Sequence, residues 1–368
     1  MVAQTPTHRG FKTSLGYFQG ACDHYTQKDG EDGCGESTDL WDSDKPGFGM
    51  NGTYGDYLYT GRFVDTVNKH DRTIPLFYYL ALQCAHEPMQ APKRFTDLYD
   101  AAVVPNVVEY AFSSVIDEAV GNVTKVLKSN SMWENTLMIV SADNGGPAFS
   151  DQGAASNFPL RGGKYTSWEG GLRVTAFVTG GLLPDSMKGI NISAPVHVCD
   201  WYATFSYLAG VDPADDHPNV PSIDSINQWS VLASPAAPTV RMEVYPAVGI
   251  LLQGKWKLIA IGAGHAQWSG PLYPKDPASG PSSANCSTKV PCLFNIIDDA
   301  GEHFDVSAAT ANKDVLQTMV ARLKTLDAST WEPEVPTVPP RGSAGSICNA
   351  TLKAGGYLTP SDWTPTIE

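Results

Sequence analysis

No stretch of this 368-residue chain approaches the roughly 18 unbroken apolar residues of a membrane-spanning helix, so that reading is excluded. The opening residues, Met1 to Phe11, lack the apolar core of a signal peptide. Charge is scarce as well: only 17 % of residues are charged, and Asp plus Glu exceed Lys plus Arg by 39 − 25 = 14, which excludes an extended basic face for nucleic acid. An anionic substrate must therefore meet a local patch of positive charge. No C-x-x-C pair occurs, so cysteine spacing suggests no zinc site.

What is present points to the secretory pathway, with a lysosomal or extracellular destination. Five N-x-[ST] sequons, at Asn51, Asn122, Asn191, Asn285 and Asn349, are glycosylation candidates. A start site inside a longer reading frame reconciles them with the absent leader. Among the seven cysteines, Cys22/Cys34 and Cys286/Cys292 lie near enough in sequence to close small loops. Cys348 is expected to be the odd one, either bonded outside the chain or a reduced thiol.

Residues 1 to 60 read as a long loop region rich in Gly, Asp and Tyr. "IPLFYYLALQ", 74 to 83, has the composition and length of a strand buried on both faces. Val108, Phe112, Val115, Ala119, Val123 and Val126 recur at helical spacing within 105 to 128. A strand over 136 to 142 follows, and strand, helix, strand with this crossover predicts a parallel βαβ unit. "RVTAFVTGG", 173 to 181, adds a further strand. "SPAAPTV", 234 to 240, reads as a linker between a domain over 1 to 233 and a smaller one over 241 to 368. In the latter, "GILLQGKWKLIAIG" alternates around Gly254 like a hairpin, Leu316, Met319, Leu323 and Leu326 predict a helix, and 264 to 284 is a loop.

Ligands of α/β sheets collect at the carboxyl ends of strands, and two such ends here carry polar groups. "VSADNGGP", 140 to 147, delivers Asp143 and Asn144 followed by two glycines. A carboxylate and an amide oxygen suit Ca²⁺ or Mg²⁺, and the same Asn144-Gly145 pair suits an ordinary turn. His86 ends the other strand, as either a structural or a catalytic histidine. "LRGGKYTSWEGGLR", 160 to 173, carries Lys164, which could hold an anion or be a solvated surface charge.

Taken in order, "HRGFKTSLGYFQGACDHYT", "LALQCAHEPMQAP", "DEAVGNVTKVL", "SADNGG", "NFPLRGGKYTSWEGGLRV" and "LFNIIDDAGEHFDVS" resemble successive blocks of the arylsulfatase B group of type I sulfatases. The resemblance covers most of the chain. It implies an α/β, alkaline-phosphatase-like fold: a mixed sheet flanked by helices, incomplete at its N-terminus, with a small C-terminal antiparallel sheet and helix. It implies that Asp143 and Asn144 are ligands of one active-site Ca²⁺, that Lys164 contacts the sulfate, and that His86 is a sulfate contact.

Sulfatases of this type use a formylglycine made from the cysteine of C-x-P-x-R, and none of the seven cysteines here has Pro at +2 and Arg at +4. Ser193-Ala194-Pro195-Val196-His197 lacks the arginine. The paired aspartates and the "GKWHLG" block of the family also have no counterpart, so the nucleophile and two metal-ligand side chains are expected in a missing N-terminal segment. The resemblance implies a sulfuric ester hydrolase acting on a sulfate-ester small molecule or a sulfated sugar, with the chain as written expected to be inactive alone and to bind Ca²⁺ weakly. A non-catalytic homologue binding sulfated glycans and a phosphodiesterase or phosphatase of the same superfold are the other readings. Trp41, Trp168, Glu169 and Trp268 are candidates for sugar contacts or for packing.

Overall fold

The structure, a computed structural model, describes residues 4–29, 37–104, 106–149, 155–214, 220–270, 279–331 and 344–360. The chain forms two compact units, Met1–Met132 with Pro333–Glu368, and Trp133–Glu332. No helix among the described residues is long and apolar enough to cross a membrane.

In the first unit, the loop-rich start of the chain is pinned by short ladders. Strands β1 (Leu15–Gly16), β4 (Trp41–Asp42) and β5 (Lys45–Pro46) form one antiparallel sheet, and β2 (Lys28–Asp29) pairs with β3 (Ser37–Thr38). Helix α1 (Gly55–Lys69) packs on α3 (Val107–Ser129), with the one-turn α2 (Lys93–Thr96) beside α3. Asn106 starts α3 by accepting the N–H groups of Val108 and Glu109 on its side chain, which satisfies donors that a helix start leaves open. The apolar stripe expected for this helix is buried: Phe112, Val115, Ala119, Val123 and Val126 all face the interior. Helix α8 (Ala344–Lys353) leads to Ala354 and Tyr357, which join Leu40 and Tyr59 in one core cluster.

Cys348 is disulfide-bonded, which overturns its expected role as the odd thiol. Position near a terminus says nothing about where the chain returns in space. The Cys22/Cys34 bridge considered from sequence does not form, since the buried Cys22 carries no disulfide; residue 34 itself lies outside the described residues.

The second unit contains β6 (Met138–Ser141), α4 (Glu169–Leu172), β7 (Ala176–Thr179), α5 (Asp200–Leu208) and α6 (Trp229–Ala233). It also contains a four-stranded antiparallel sheet ordered β11 (Cys292–Asn295), β10 (Trp256–Ile259), β9 (Ile250–Gln253) and β8 (Glu243–Ala247), and helix α7 (Lys313–Ala328). The hairpin around Gly254 and the helix after residue 310 form as the alternation and spacing predict. Both faces of this sheet are buried. Leu251, Leu258 and Leu293 pack on Met319 and Leu323 of α7, while their neighbours Ile259, Cys292 and Phe294 pack on Trp168. The predicted Cys286–Cys292 disulfide closes the second of these clusters.

Two expectations fail. Residues 74–83 pair with no strand among the described residues; their burial alternates, with Leu76, Tyr78 and Leu80 half-buried and Phe77 and Tyr79 at 58 % and 74 % exposed. The parallel βαβ unit is likewise absent: β6 pairs antiparallel with β7, Ile139 opposite Val178. Apolar patterning shows that a segment can be a strand, but it carries no information about its neighbour or direction. Among the described residues the chain shows small antiparallel sheets in place of one large mixed sheet, the single parallel contact being the Thr38–Tyr357 bridge.

Candidate functional site

Asp143 and Asn144 follow β6 after the single residue Ala142. The Asn144 N–H donates to Asp143 Oδ1 at 2.8 Å, and Asn144 Nδ2 donates to the Gly145 carbonyl at 2.9 Å. Asp143 Oδ2 and the Asn144 amide oxygen are the donors left for a cation, and Asp143 is exposed. Two oxygens fit a hard divalent cation by type but fall short of the 6 to 8 that Ca²⁺ takes.

Gly145 and Gly163 leave room for backbone contact. A Cβ on Gly145 would lie 1.6 Å from the Gly170 carbonyl oxygen, and the Gly145 N–H already donates to the Gly171 carbonyl at 3.1 Å. A Cβ on Gly163 would meet the Gly146 carbonyl oxygen at 2.4 Å. The "DNGG" and "LRGGK" loops therefore touch main chain to main chain, and the Lys164 N–H donates to the Gly146 carbonyl at 3.0 Å. Lys164 is half-buried, with Nζ 5.2 Å from the centroid of the exposed Tyr165 ring.

Asn157 ties these loops and was not singled out from sequence. Its Oδ1 accepts the Gly146 N–H at 2.9 Å, while Nδ2 donates to the Gly146 and Gly162 carbonyls at 2.9 and 3.1 Å. An isolated Asn before Phe-Pro gives no spacing signal for such a role; only the fold brings it opposite residue 146.

Arg161 anchors the lysine loop to the segments around Ala266, Trp268 and Glu302. Its guanidinium carbon sits 3.8 Å from the Trp168 ring centroid and 4.3 Å from that of Trp268; Nε donates to the Ala266 carbonyl at 2.6 Å and Nη1 to the Glu302 carbonyl at 3.0 Å. Burial holds this guanidinium below its usual value, with Glu302 opposing. Beneath it, Lys257 Nζ pairs with Glu169 Oε1 at 2.9 Å and Glu302 Oε1 at 2.8 Å, all three residues buried. Burial pushes Glu302 up to about 7, with Lys257 working against the shift and Glu169 with it.

Trp41, Trp168 and Glu169 are buried, so they serve packing and ion pairing rather than sugar contact. Trp268 is likewise engaged, stacked on His303 at 4.5 Å and on Arg161. His86 belongs to the first unit, in the turn after residue 83. Its N–H donates to the Gln83 carbonyl at 2.9 Å, its Nδ1 lies 3.0 Å from the Glu87 carbonyl oxygen, and its own carbonyl is 3.1 Å from His24 Nε2. The five sequon asparagines, Asn51, Asn122, Asn191, Asn285 and Asn349, are all exposed.

Residues 3–211 match the family model described as Sulfatase. Arylsulfatase J of Mus musculus is 41 % identical over 208 residues, 55 % of this chain and 34 % of that protein. N-acetylgalactosamine-6-sulfatase of Homo sapiens is 25 % identical over 335 residues, 84 % of this chain and 59 % of that protein. The crystal structure of Ps i-CgsB in complex with k-i-k-neocarrahexaose superposes with a TM-score of 0.69 at 23 % identity, over 96 % of this chain and 75 % of that one, which shows a shared mixed α/β fold. The chain thus spans between about a third and three fifths of those two relatives. The matched family segment is more than half of the chain and includes the Asp143-Asn144 and Lys164 loops, and the chain belongs to the sulfatase family.

Proposed function

We propose that the chain is part of a sulfuric ester hydrolase of the arylsulfatase B-like group that cleaves a sulfate ester on a sulfated sugar. The observation that carries this reading is the backbone contact between the two loops, Lys164 N–H to Gly146 carbonyl at 3.0 Å, which brings the lysine loop against the loop that holds Asp143 and Asn144. Asp143 and Asn144 supply two oxygens to one Ca²⁺, which draws charge from the sulfate oxygens when bound. Lys164 attracts the anionic sulfate, and a sulfate-contacting role for His86 rests on the ordered sequence blocks alone. The hexasaccharide ligand of Ps i-CgsB and the amino-sugar sulfate named for the human relative support a sugar substrate. The finer group assignment rests on the ordered sequence blocks, and the division into a catalytic part over 1–233 and a small domain over 241–368 rests on the linker-like stretch 234–240.

The residues present do not fit a formylglycine, because no cysteine of the 368 stands in C-x-P-x-R, and none of them is assigned a nucleophilic step. The nucleophile is proposed to lie in a segment outside these residues. Five exposed sequon asparagines and the Cys286–Cys292 disulfide support a secretory route to a lysosomal or extracellular site.

The missing motif favours a second reading, a non-catalytic homologue that binds sulfated glycans. Aryl sulfate and aryl phosphate hydrolysis separates the two. The 368 residues alone are expected to show no turnover, and a longer protein with C-x-P-x-R is expected to hydrolyse sulfate in preference to phosphate. Enzyme-like turnover by the 368 residues overturns the assignment of the nucleophile, and an inactive longer protein that retains glycan binding supports the second reading.

A further inference from the structure

Inside the first unit three donor atoms of different chemistry converge. His24 lies in the turn preceding β2, Asp56 in the first turn of α1, and Cys84 directly after the 74–83 segment. His24 Nδ1 is 4.0 Å from Asp56 Oδ2, Cys84 Sγ is 3.1 Å from the same oxygen, and the three atoms all lie within 4.8 Å of one another. His24 and Asp56 are 0 % and 1 % exposed.

The far side of the histidine fixes its tautomer. Nε2 sits 3.1 Å from the His86 carbonyl oxygen, which only accepts, so Nε2 carries the proton and Nδ1 presents a lone pair. That Nδ1 is buried and has no hydrogen-bond partner. A lone pair facing a carboxylate is repulsive with nothing between them, whereas a cation between them makes both into ligands. A ring proton bonded to a backbone carbonyl is also the usual outer support of a metal-bound histidine.

The remaining contacts hold the donors in place. The His24 ring stacks on Tyr54 and Phe112, with centroids 5.3 and 5.7 Å away. Asp56 Oδ1 accepts the Gln83 N–H at 2.8 Å, which leaves Oδ2 on the side of the histidine and thiol. A small recess lined by Asp56, Tyr57, Thr60, Val115, Glu118, Ala119 and Asn122 adjoins the aspartate.

We propose that His24 Nδ1, Asp56 Oδ2 and Cys84 Sγ form a buried Zn²⁺ site, with a fourth position open to water or to the Tyr54 hydroxyl, 3.1 Å from Cys84 Sγ. Zinc replaces the thiol proton, which leaves to solvent, and carboxylate and thiolate then neutralise the ion. Tetrahedral zinc with bonds of about 2.0–2.3 Å separates its ligands by roughly 3.3–3.6 Å, so the donors need shifts of less than their own radii to close on it. A mixed nitrogen, sulfur and oxygen set selects zinc over Ca²⁺ or Mg²⁺, which take oxygen alone. Because His24 also holds the His86 carbonyl, the metal braces the turn that carries His86.

Co²⁺ alone, titrated into the full 368-residue chain stripped of metal, tests the site. The wild type is expected to show a thiolate-to-cobalt charge-transfer band saturating at one equivalent and lost on adding one equivalent of Zn²⁺. Cys84→Ser is expected to abolish the band, and Cys199→Ser to keep it. Mapping thiol modification by mass spectrometry on the wild type covers the case in which Cys84→Ser does not fold: Zn²⁺ is expected to slow modification of Cys84 at least tenfold and leave Cys199 unchanged. No band in the wild type, a band that survives in folded Cys84→Ser, or Cys84 modified equally fast with and without Zn²⁺ overturns the proposal and leaves a hydrogen-bonded thiol, carboxylate and imidazole.

Discussion

Asn157 holds both backbone polar atoms of Gly146: its Oδ1 accepts the N–H and its Nδ2 donates to the carbonyl, each at 2.9 Å. The same carbonyl receives the Lys164 N–H, so one glycine joins the "DNGG" loop, the lysine loop and their clamp. Asn157→Ala is expected to cost about 1–3 kcal/mol by leaving partly buried groups unpaired. Asn157→Asp, which sets a carboxylate oxygen against the Gly146 and Gly162 carbonyls in place of the amide donor, is expected to cost at least as much. Chemical denaturation of both variants measures this.

Gly145→Ala is expected to be worse tolerated than its size suggests. Its Cβ would overlap the Gly170 carbonyl oxygen, and the main chain on both sides must move. Overpacking of this kind costs about 1–3 kcal/mol, and the shift carries Asp143 and Asn144 with it. Thermal melts together with Ca²⁺ titration of the same variant are expected to show both losses.

The Lys257, Glu169 and Glu302 cluster makes stability depend on pH. Two carboxylates share one ammonium, and Glu302 is raised from 4.5 to about 7. The folded chain therefore holds a proton that the unfolded chain releases: the contribution is fully present below about pH 4.5 and is lost as pH rises through about 7. The shift corresponds to about 3 kcal/mol at most. His24 and His197 are both held below 6.5, chiefly by burial, and act in the opposite sense, with stability present above 6.5 and lost as pH falls. The difference between wild type and Glu302→Gln isolates the carboxylate: the advantage of the wild type is expected to grow as pH falls from 7 to 5. A constant difference across that window contradicts the assignment.

Asp200 and Arg241 give a contrast between buried and surface pairs. Asp200 accepts Arg241 Nε at 2.7 Å, Gln228 Nε2 at 2.9 Å and the N–H groups of His197 and Ile226 at 2.9 and 2.8 Å, and it is fully buried. Arg241→Ala strands that charge and is expected to cost about 3–5 kcal/mol. Lys93 and Asp97 pair with side chains 84 % and 57 % exposed, and Lys93→Ala is expected to change stability by about 0.5 kcal/mol or less. Urea unfolding of the two variants checks the ratio.

Lys164→Ala, made in a longer protein that carries C-x-P-x-R, is expected to lower sulfate-ester turnover about a hundredfold or more with little loss of stability, as removal of a group that stabilises developing charge does. Steady-state kinetics beside a thermal melt separates the two effects.

Local patterns were legible where one element settles its own fate. The α3 stripe, the Gly254 hairpin, the α7 helix and the six-residue spacing of Cys286 and Cys292 each declare themselves within a short window, and each forms. Pairing was not legible: nothing in "IPLFYYLALQ" or "LMIVSA" states which strand lies beside it, so the parallel unit expected there gave way to a β6–β7 antiparallel pair. The candidate site divides in the same way. Asp143, Asn144 and Lys164 stood out as polar groups among glycines, whereas Asn157 and the Arg161 sandwich act through contacts that only the fold creates. The His24, Asp56 and Cys84 cluster escaped notice because its members are 32 and 28 residues apart in sequence and meet only when α1 packs.

Everything proposed for catalysis depends on Asp143 and Asn144 being part of a sulfatase cation site. Isothermal titration of Ca²⁺ into the 368-residue chain, beside Asp143→Ala, decides whether they are. Binding weaker than about 1 µM is expected, as two oxygens of the usual six to eight imply, together with its loss in Asp143→Ala. Sub-micromolar binding, or binding that Asp143→Ala leaves unchanged, would show that the pair is not the partial site described.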